Sequence, residues 1–134
     1  MSTSLVVLCL FAGWTILLVA SLALFRGLHA SRAGKALNSF APDGTDLGGF
    51  GQRLTRAHLN CLEFLPVAGA VILAAAVAGR GDLTDPLAMP LLFARLAQSV
   101  VHLLSTSVPM VMLRAALLVV QLAIVASWIF RLVL

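Results

Sequence analysis

Charge is scarce in this sequence of 134 residues. Charged residues make up 10% of the chain and only five are acidic, whereas an ordinary soluble domain is about 25% charged. The chain also contains no tyrosine and only two cysteines. Both cysteines, Cys9 and Cys61, lie inside apolar stretches, and their spacing matches neither a disulfide framework nor a metal site. Together with an apolar fraction of 61%, these shortages exclude a soluble globular domain and indicate a membrane protein.

The apolar residues form long runs separated by short polar segments. One membrane crossing requires about 20 apolar residues, so the chain has room for four crossings and no separate soluble domain. We therefore predict an all-α integral membrane protein, a single four-helix bundle covering residues 1–134. The predicted helices span about 5–26, 53–78, 87–107 and 111–133, with a polar loop over about 27–52 and a break at Pro109.

The basic residues lie mainly between the apolar segments, which is typical of membrane orientation and not of a nucleic-acid surface. Four crossings would put six of them on the side of the long loop: Arg26, Arg32, Lys35, Arg53, Arg56 and Arg114. Only Arg80 and Arg131 fall on the opposite side. If the membrane is a bacterial inner membrane, this asymmetry predicts a cytoplasmic loop and both termini outside the cytoplasm. The predicted partner is thus the lipid bilayer, with no nucleic acid.

Polar side chains recur at helical spacing within the second and third helices. Arg53, Arg56, Asn60 and Glu63 share one face of helix two, and Glu63 lies about 15 Å beyond Arg53, near the middle of a hydrocarbon core about 30 Å thick. Helix three carries a similar stripe and helix four opens with a further arginine; these residues are Arg95, Gln98, His102 and Arg114. Because a buried carboxylate needs a partner, we expect Arg95 to pair with Glu63.

Two interpretations of these stripes are open from the residues alone. A Glu63–Arg95 pair can hold helices together without any chemistry, and glutamines can bridge helices by hydrogen bonds. Convergence of both complete stripes would instead form a polar channel that opens toward the basic side.

The segment 53–66, RLTRAHLNCLEFLP, resembles the motif of the MAPEG superfamily, the membrane-associated proteins of eicosanoid and glutathione metabolism. The pattern R-A-H-x-N-x-x-E followed by proline is specific, and chain length, polar first loop and the arginines of helices three and four fit the same layout. The resemblance implies a homotrimer of four-helix protomers. It also implies glutathione as co-substrate, bound between neighbouring protomers.

Residue roles follow from the resemblance position by position. Asn60 and Glu63 match family positions that contact glutathione, and Arg56 and Arg95 match arginines around it. Arg114 is similar to the arginine that favours the thiolate in catalytic members. Gln98 and His102 occupy the region where family members commonly have a tyrosine, so we place Gln98 among the binding residues and His102 beside Arg114 as a candidate catalytic residue.

The chain departs from the eicosanoid-forming members in two respects. Leu59 replaces an arginine that follows the motif histidine in some of them, and no tyrosine is present. We therefore expect a glutathione-dependent transferase or peroxidase that acts on small hydrophobic electrophiles, and not an eicosanoid-forming enzyme. Two alternatives stay open: a non-catalytic protein of the same fold that uses the Glu63–Arg95 pair for assembly, and a small proton-coupled exporter.

Overall fold

A computed structural model describes all residues, 1–134, and contains four long helices with no strand. The helices are α1 (Thr3–Ala33), α2 (Gly48–Val77), α3 (Asp85–Leu104) and α4 (Val108–Val133), and a single 3-10 turn at Gly81–Leu83 precedes α3. Each of the four is long and apolar enough to cross a membrane. The predicted all-α membrane architecture is therefore confirmed, and the chain is an integral membrane protein.

The ends of the helices differ from the predicted ones. α1 continues to Ala33, beyond the predicted end at 26, and stops where Gly34 adopts the left-handed conformation with φ 64°. α2 begins at Gly48 instead of 53, so the loop spans 34–47 instead of 27–52. The predicted ends coincide with the limits of the apolar runs, but a helix can extend past the membrane surface because its backbone hydrogen bonds are internal.

The turn between α3 and α4 is also displaced. α3 ends at Leu104 instead of 107, and α4 begins at Val108 instead of 111. Pro109 lies in the first turn of α4, where the missing proline N–H has no helical partner to lose. The proline thus starts the fourth helix and does not occupy the break.

Packing follows the apolar faces of the helices. α1 packs chiefly against α2 and α3, and α4 packs chiefly against α3. The buried core contains Phe11 from α1, Phe64 from α2, Leu91 from α3 and Trp128 from α4. Large apolar side chains such as Phe93 cover much of the remaining surface, as expected where the solvent is lipid.

The crossing of α1 and α2 depends on Gly51. A Cβ atom at this position would lie 2.7 Å from Cε1 of Phe25 and would also overlap Leu47. Real Cβ atoms do not approach heavy atoms so closely, so the helices can meet here only because the side chain is absent. By contrast, a Cβ atom at Gly13 in α1 would meet no heavy atom within 4 Å.

We expect Gly51→Ala to lower the free energy of unfolding by about 1–3 kcal/mol, because the added methyl group overpacks a fixed helix contact. Gly13→Ala is the matched control and should leave stability unchanged or slightly raised, since alanine favours helix and meets open space. Denaturant unfolding in detergent, followed by circular dichroism, measures both. Equal stability of the two variants would show that Gly51 does not set the crossing.

The loop 34–47 is held by Asp46. Its carboxylate forms the chain's only ion pair, with Lys35, and accepts a hydrogen bond from the backbone N–H of Ala41 at 3.0 Å. Lys35 also lies over the ring of Phe40, 4.8 Å from its centroid. The Lys35 contact, followed by the Ala41 N–H, lowers the pKa of Asp46 below its usual value. A lowered pKa means that the contribution of this carboxylate is present above about pH 4 and is lost as the pH falls through the pKa of the folded state.

At neutral pH, Asp46→Asn should imitate protonation of this carboxyl group and loosen the loop. We expect chymotrypsin to cut after Phe40 several-fold faster in the variant than in the wild type, as followed by mass spectrometry of the fragments. Asp43→Asn is the control, because Asp43 accepts hydrogen bonds only from Thr45 within the same turn. If both variants are cut at the wild-type rate, Asp46 does not hold the loop.

Candidate functional site: a polar cleft between three helices

Polar residues from three helices line one cavity at the side of the bundle. The cavity has a volume of about 290 Å³, and its walls are Arg56, Leu59, Asn60 and Glu63 of α2, His102 of α3 and Arg114 of α4. A smaller cavity of about 150 Å³ shares Asn60 and Glu63 and adds Arg95. We call the two together the polar cleft. The structure thus brings together six of the seven predicted site residues.

Positive charge dominates the polar cleft. Arg56, Arg95 and Arg114 contribute three guanidinium groups, and Glu63 is the only carboxylate. Glu63 has no salt-bridge partner in the chain, because the one ion pair present is Lys35–Asp46. The cleft therefore suits an anionic ligand that could also use the carboxylate of Glu63 for a positively charged group.

Arg95 lies at the inner end of the cleft and is 1% exposed. Its guanidinium carbon is 4.4 Å from the ring centroid of Phe64 and 5.6 Å from that of Phe11, so two aromatic faces enclose the cation. One of its terminal nitrogens, Nη1, donates to the side-chain oxygen of Asn60. The other two nitrogens, Nε and Nη2, are buried without a hydrogen-bond partner.

The predicted pairing of Arg95 with Glu63 is wrong for the single chain. Glu63 is exposed, and Arg95 uses Asn60, one helical turn earlier on α2. The physical reason is the position of Phe64, whose ring packs against the guanidinium and leaves its Nη1 next to Asn60. An amide oxygen can satisfy one N–H group of the arginine without a second charge.

His102 and Arg114 form a direct contact at the wider part of the cleft. Nη1 of Arg114 lies 2.8 Å from Nδ1 of His102. Because arginine can only donate, Nδ1 must accept, which places the proton of a neutral imidazole ring on Nε2. The histidine therefore holds the arginine side chain in position and has its own N–H free for another acceptor.

Gln98 does not line the polar cleft. Its side chain is 2% exposed and lies between α3 and α4, where Nε2 donates to the backbone oxygen of Arg114 at 3.3 Å. Its oxygen accepts from Nε2 of Gln121 at 2.9 Å. These contacts join the two helices and fix the backbone that carries Arg114, so Gln98 acts as a positioning residue in this structure.

A hydrogen-bonded group behind Arg95 was not predicted from the sequence. Oγ of Ser99 donates to the backbone oxygen of Arg95 at 3.1 Å, and the indole N–H of Trp14 donates to Ser99 at 3.0 Å. The thiol of Cys61 lies 3.2 Å from the same hydroxyl group. The one available signal was the spacing of Ser99, four residues after Arg95 and hence on the same helical face. Phe11 and Phe64 gave no signal, since aromatic residues in a membrane helix are ordinarily packing residues.

The comparison with family models decides the classification. Residues 4–134 match the model of the MAPEG family, which is essentially the whole chain. The chain belongs to the MAPEG family. No curated protein and no solved structure matches it, so the family membership rests on the family model together with the motif at 53–66. Membership supports a glutathione-related membrane function in general terms.

Replacing Asn60 tests how the cleft is built in this MAPEG protein. We expect Asn60→Leu to lower the free energy of unfolding by about 1–3 kcal/mol or more, because it leaves a buried guanidinium without its acceptor. Asn60→Asp keeps an acceptor and adds a countercharge, so it should retain stability close to wild type. Denaturant unfolding in detergent measures both, and equal losses in the two variants would contradict the role of the amide oxygen.

Proposed function

We propose that this MAPEG protein is a membrane-embedded, glutathione-dependent transferase with peroxidase-like capacity that acts on small hydrophobic electrophiles. The observation that carries the proposal is the polar cleft itself, which gathers Arg56, Asn60, Glu63, Arg95 and Arg114 in one place. Glutathione bears two carboxylates, an amino group and a thiol, so it needs several cations, one carboxylate and hydrogen-bonding groups. Each of these is present in the cleft.

In the proposed complex, Arg56 and Arg95 bind the carboxylates of glutathione. Glu63 accepts hydrogen bonds from its amino group, and Asn60 forms hydrogen bonds with its amide groups. The place of Arg95 in the wall of the smaller cavity supports this assignment, because a largely buried guanidinium is stabilised by an anionic acceptor. The roles match those that the resemblance implies for the same positions.

Arg114 is the residue proposed to favour the thiolate. A guanidinium close to a thiol lowers the thiol pKa, since it stabilises the charged form. His102 keeps this guanidinium in place through its Nδ1, which also makes it a positioning residue for the reaction. The thiol proton leaves to solvent; the thiolate sulfur then forms a bond to the electrophilic carbon as the leaving group departs with its electron pair. No covalent enzyme intermediate is required.

The exposure of charged residues at the edge of the polar cleft supports assembly of the protein into an oligomer. Glu63 lies near the midpoint of α2 (Gly48–Val77), and both Glu63 and Arg56 are exposed on the single chain. Charged groups that face hydrocarbon are costly. We infer that a second protomer covers them in the homotrimer that the resemblance implies, which would place the glutathione site at a protomer boundary. In the proposed function, the protein lies in a bacterial inner membrane with both termini outside the cytoplasm.

Calorimetry of glutathione binding to detergent-purified protein tests the proposal. We expect binding by the wild type, together with conjugation of a chlorodinitrobenzene-type electrophile. Glu63→Gln should keep the oligomer and weaken binding, by roughly tenfold if one charge-assisted hydrogen bond is lost. Arg80→Gln, a substitution of an exposed arginine outside the cleft, is the control and should bind as the wild type does.

Three outcomes would contradict the proposal. Wild-type protein that neither binds glutathione nor forms the conjugate would exclude the transferase. Collapse of the oligomer in Glu63→Gln would favour the non-catalytic alternative, in which Glu63 serves assembly. Proton-driven efflux that requires Glu63 would favour the exporter.

A further inference from the structure

A second groove, apolar where the polar cleft is charged, runs along α1. It has a volume of about 310 Å³ and is lined by nine hydrophobic residues and one serine. Trp14, Leu17, Leu24 and Leu28 are among the residues of its α1 wall, and Leu54 and Leu103 close it from α2 and α3. Trp14 and Leu28 are fourteen residues apart, so the groove extends about 20 Å along the helix. We call it the α1 groove.

Basic residues flank one end of the α1 groove. A small recess of about 100 Å³ shares Phe25 and Leu28 with the groove and adds His29 and Arg32. His29 and Arg32 belong to the part of α1 beyond the predicted helix end, and because they are three residues apart they lie near one face.

Arg53 approaches the same end from α2. Its guanidinium carbon is 5.9 Å from the ring centroid of Phe50, and its Nε donates to the backbone oxygen of Leu103 at 2.9 Å. Phe50 and Leu103 both line the α1 groove. Basic side chains of two helices therefore lie at one end of an otherwise apolar surface.

These cations have no acidic partner within the chain. The only ion pair is Lys35–Asp46, so neither Arg32 nor Arg53 is neutralised by a carboxylate. Arg32 is exposed, and Arg53 is half-buried with one nitrogen already bonded to a backbone oxygen. An apolar groove of this length with unneutralised cations at one end is complementary to a molecule that has a long hydrocarbon chain and an anionic head.

We propose that the α1 groove binds one acyl chain of an anionic phospholipid and that the headgroup phosphate lies at Arg32 and Arg53. Basic pockets between membrane helices bind such headgroups, and the acyl chain needs no desolvation because it comes from the surrounding bilayer. A free phosphate ion would leave the apolar length of the groove unused. The site differs from the polar cleft in its lining residues, so it requires neither glutathione nor catalysis.

Quenching of tryptophan fluorescence by brominated lipids tests the proposal. Trp14 lines the groove, whereas Trp128 is fully buried, so Trp14 should report a bromine atom on a bound acyl chain. We expect stronger quenching in vesicles of bromo-acyl phosphatidylglycerol than in vesicles of phosphatidylcholine with the same chains. Trp14→Phe should abolish this difference. Equal quenching by the two lipids in the wild type would overturn the proposal.

Arginine variants locate the headgroup. The double variant Arg32→Gln, Arg53→Gln should lower the relative affinity for phosphatidylglycerol by about fivefold for each arginine, the change expected from roughly one surface charge. Arg80→Gln, Arg131→Gln removes the same charge elsewhere and should keep the wild-type preference. A double variant at Arg32 and Arg53 that retains the full preference would overturn the assignment of the headgroup. If that variant fails to fold, the wild-type comparison of the two lipids still decides whether the groove selects anionic lipid.

Discussion

The structure depends on placing one guanidinium inside a bundle of apolar helices. Arg95 cannot lose its charge in practice, and within a membrane protein it must find hydrogen-bond acceptors and polarizable surroundings in the protein itself. Phe11 of α1 and Phe64 of α2 provide the aromatic faces, and Asn60 provides an acceptor. The single arginine of α3 thereby fixes the relative positions of three helices, and the polar cleft forms beside it.

The same arrangement leaves the polar cleft incomplete on a single chain. Arg95 retains two buried N–H-bearing nitrogens without partners, while Glu63 and Arg56 are exposed at the side of α2. Unsatisfied donors and uncovered charges both cost free energy in hydrocarbon surroundings. An anionic ligand and a neighbouring protomer would each relieve part of this cost, and this shared requirement links ligand binding to assembly in the proposed function.

The architecture could be predicted from the sequence because apolar run length and polar spacing are local properties. Four helices and the shared face of Arg56, Asn60 and Glu63 follow from them. The convergence of that face with His102 and Arg114 was one of two open interpretations, and the cavity between the helices shows it. The helix ends are displaced from the predicted positions. The apolar run shows which residues lie in the membrane, whereas α1 continues beyond that run. The partner of Arg95 was beyond prediction, because it depends on how Phe64 packs across helices. Bridging by glutamines was one of two open interpretations, and the contact of Gln98 with Gln121 decides in its favour for Gln98. The spacing of residues along one helix does not show which side chain of another helix they contact.

In the proposed function, the polar cleft binds glutathione as its thiolate. The most direct measurement is the ultraviolet difference spectrum of the purified protein on addition of glutathione at neutral pH, in which a bound thiolate absorbs and a thiol does not. We expect a saturable thiolate band in the wild type that is lost in Arg114→Gln, while Arg80→Gln keeps it. Saturable glutathione binding without a thiolate band, or a band that persists in Arg114→Gln, would contradict the claim.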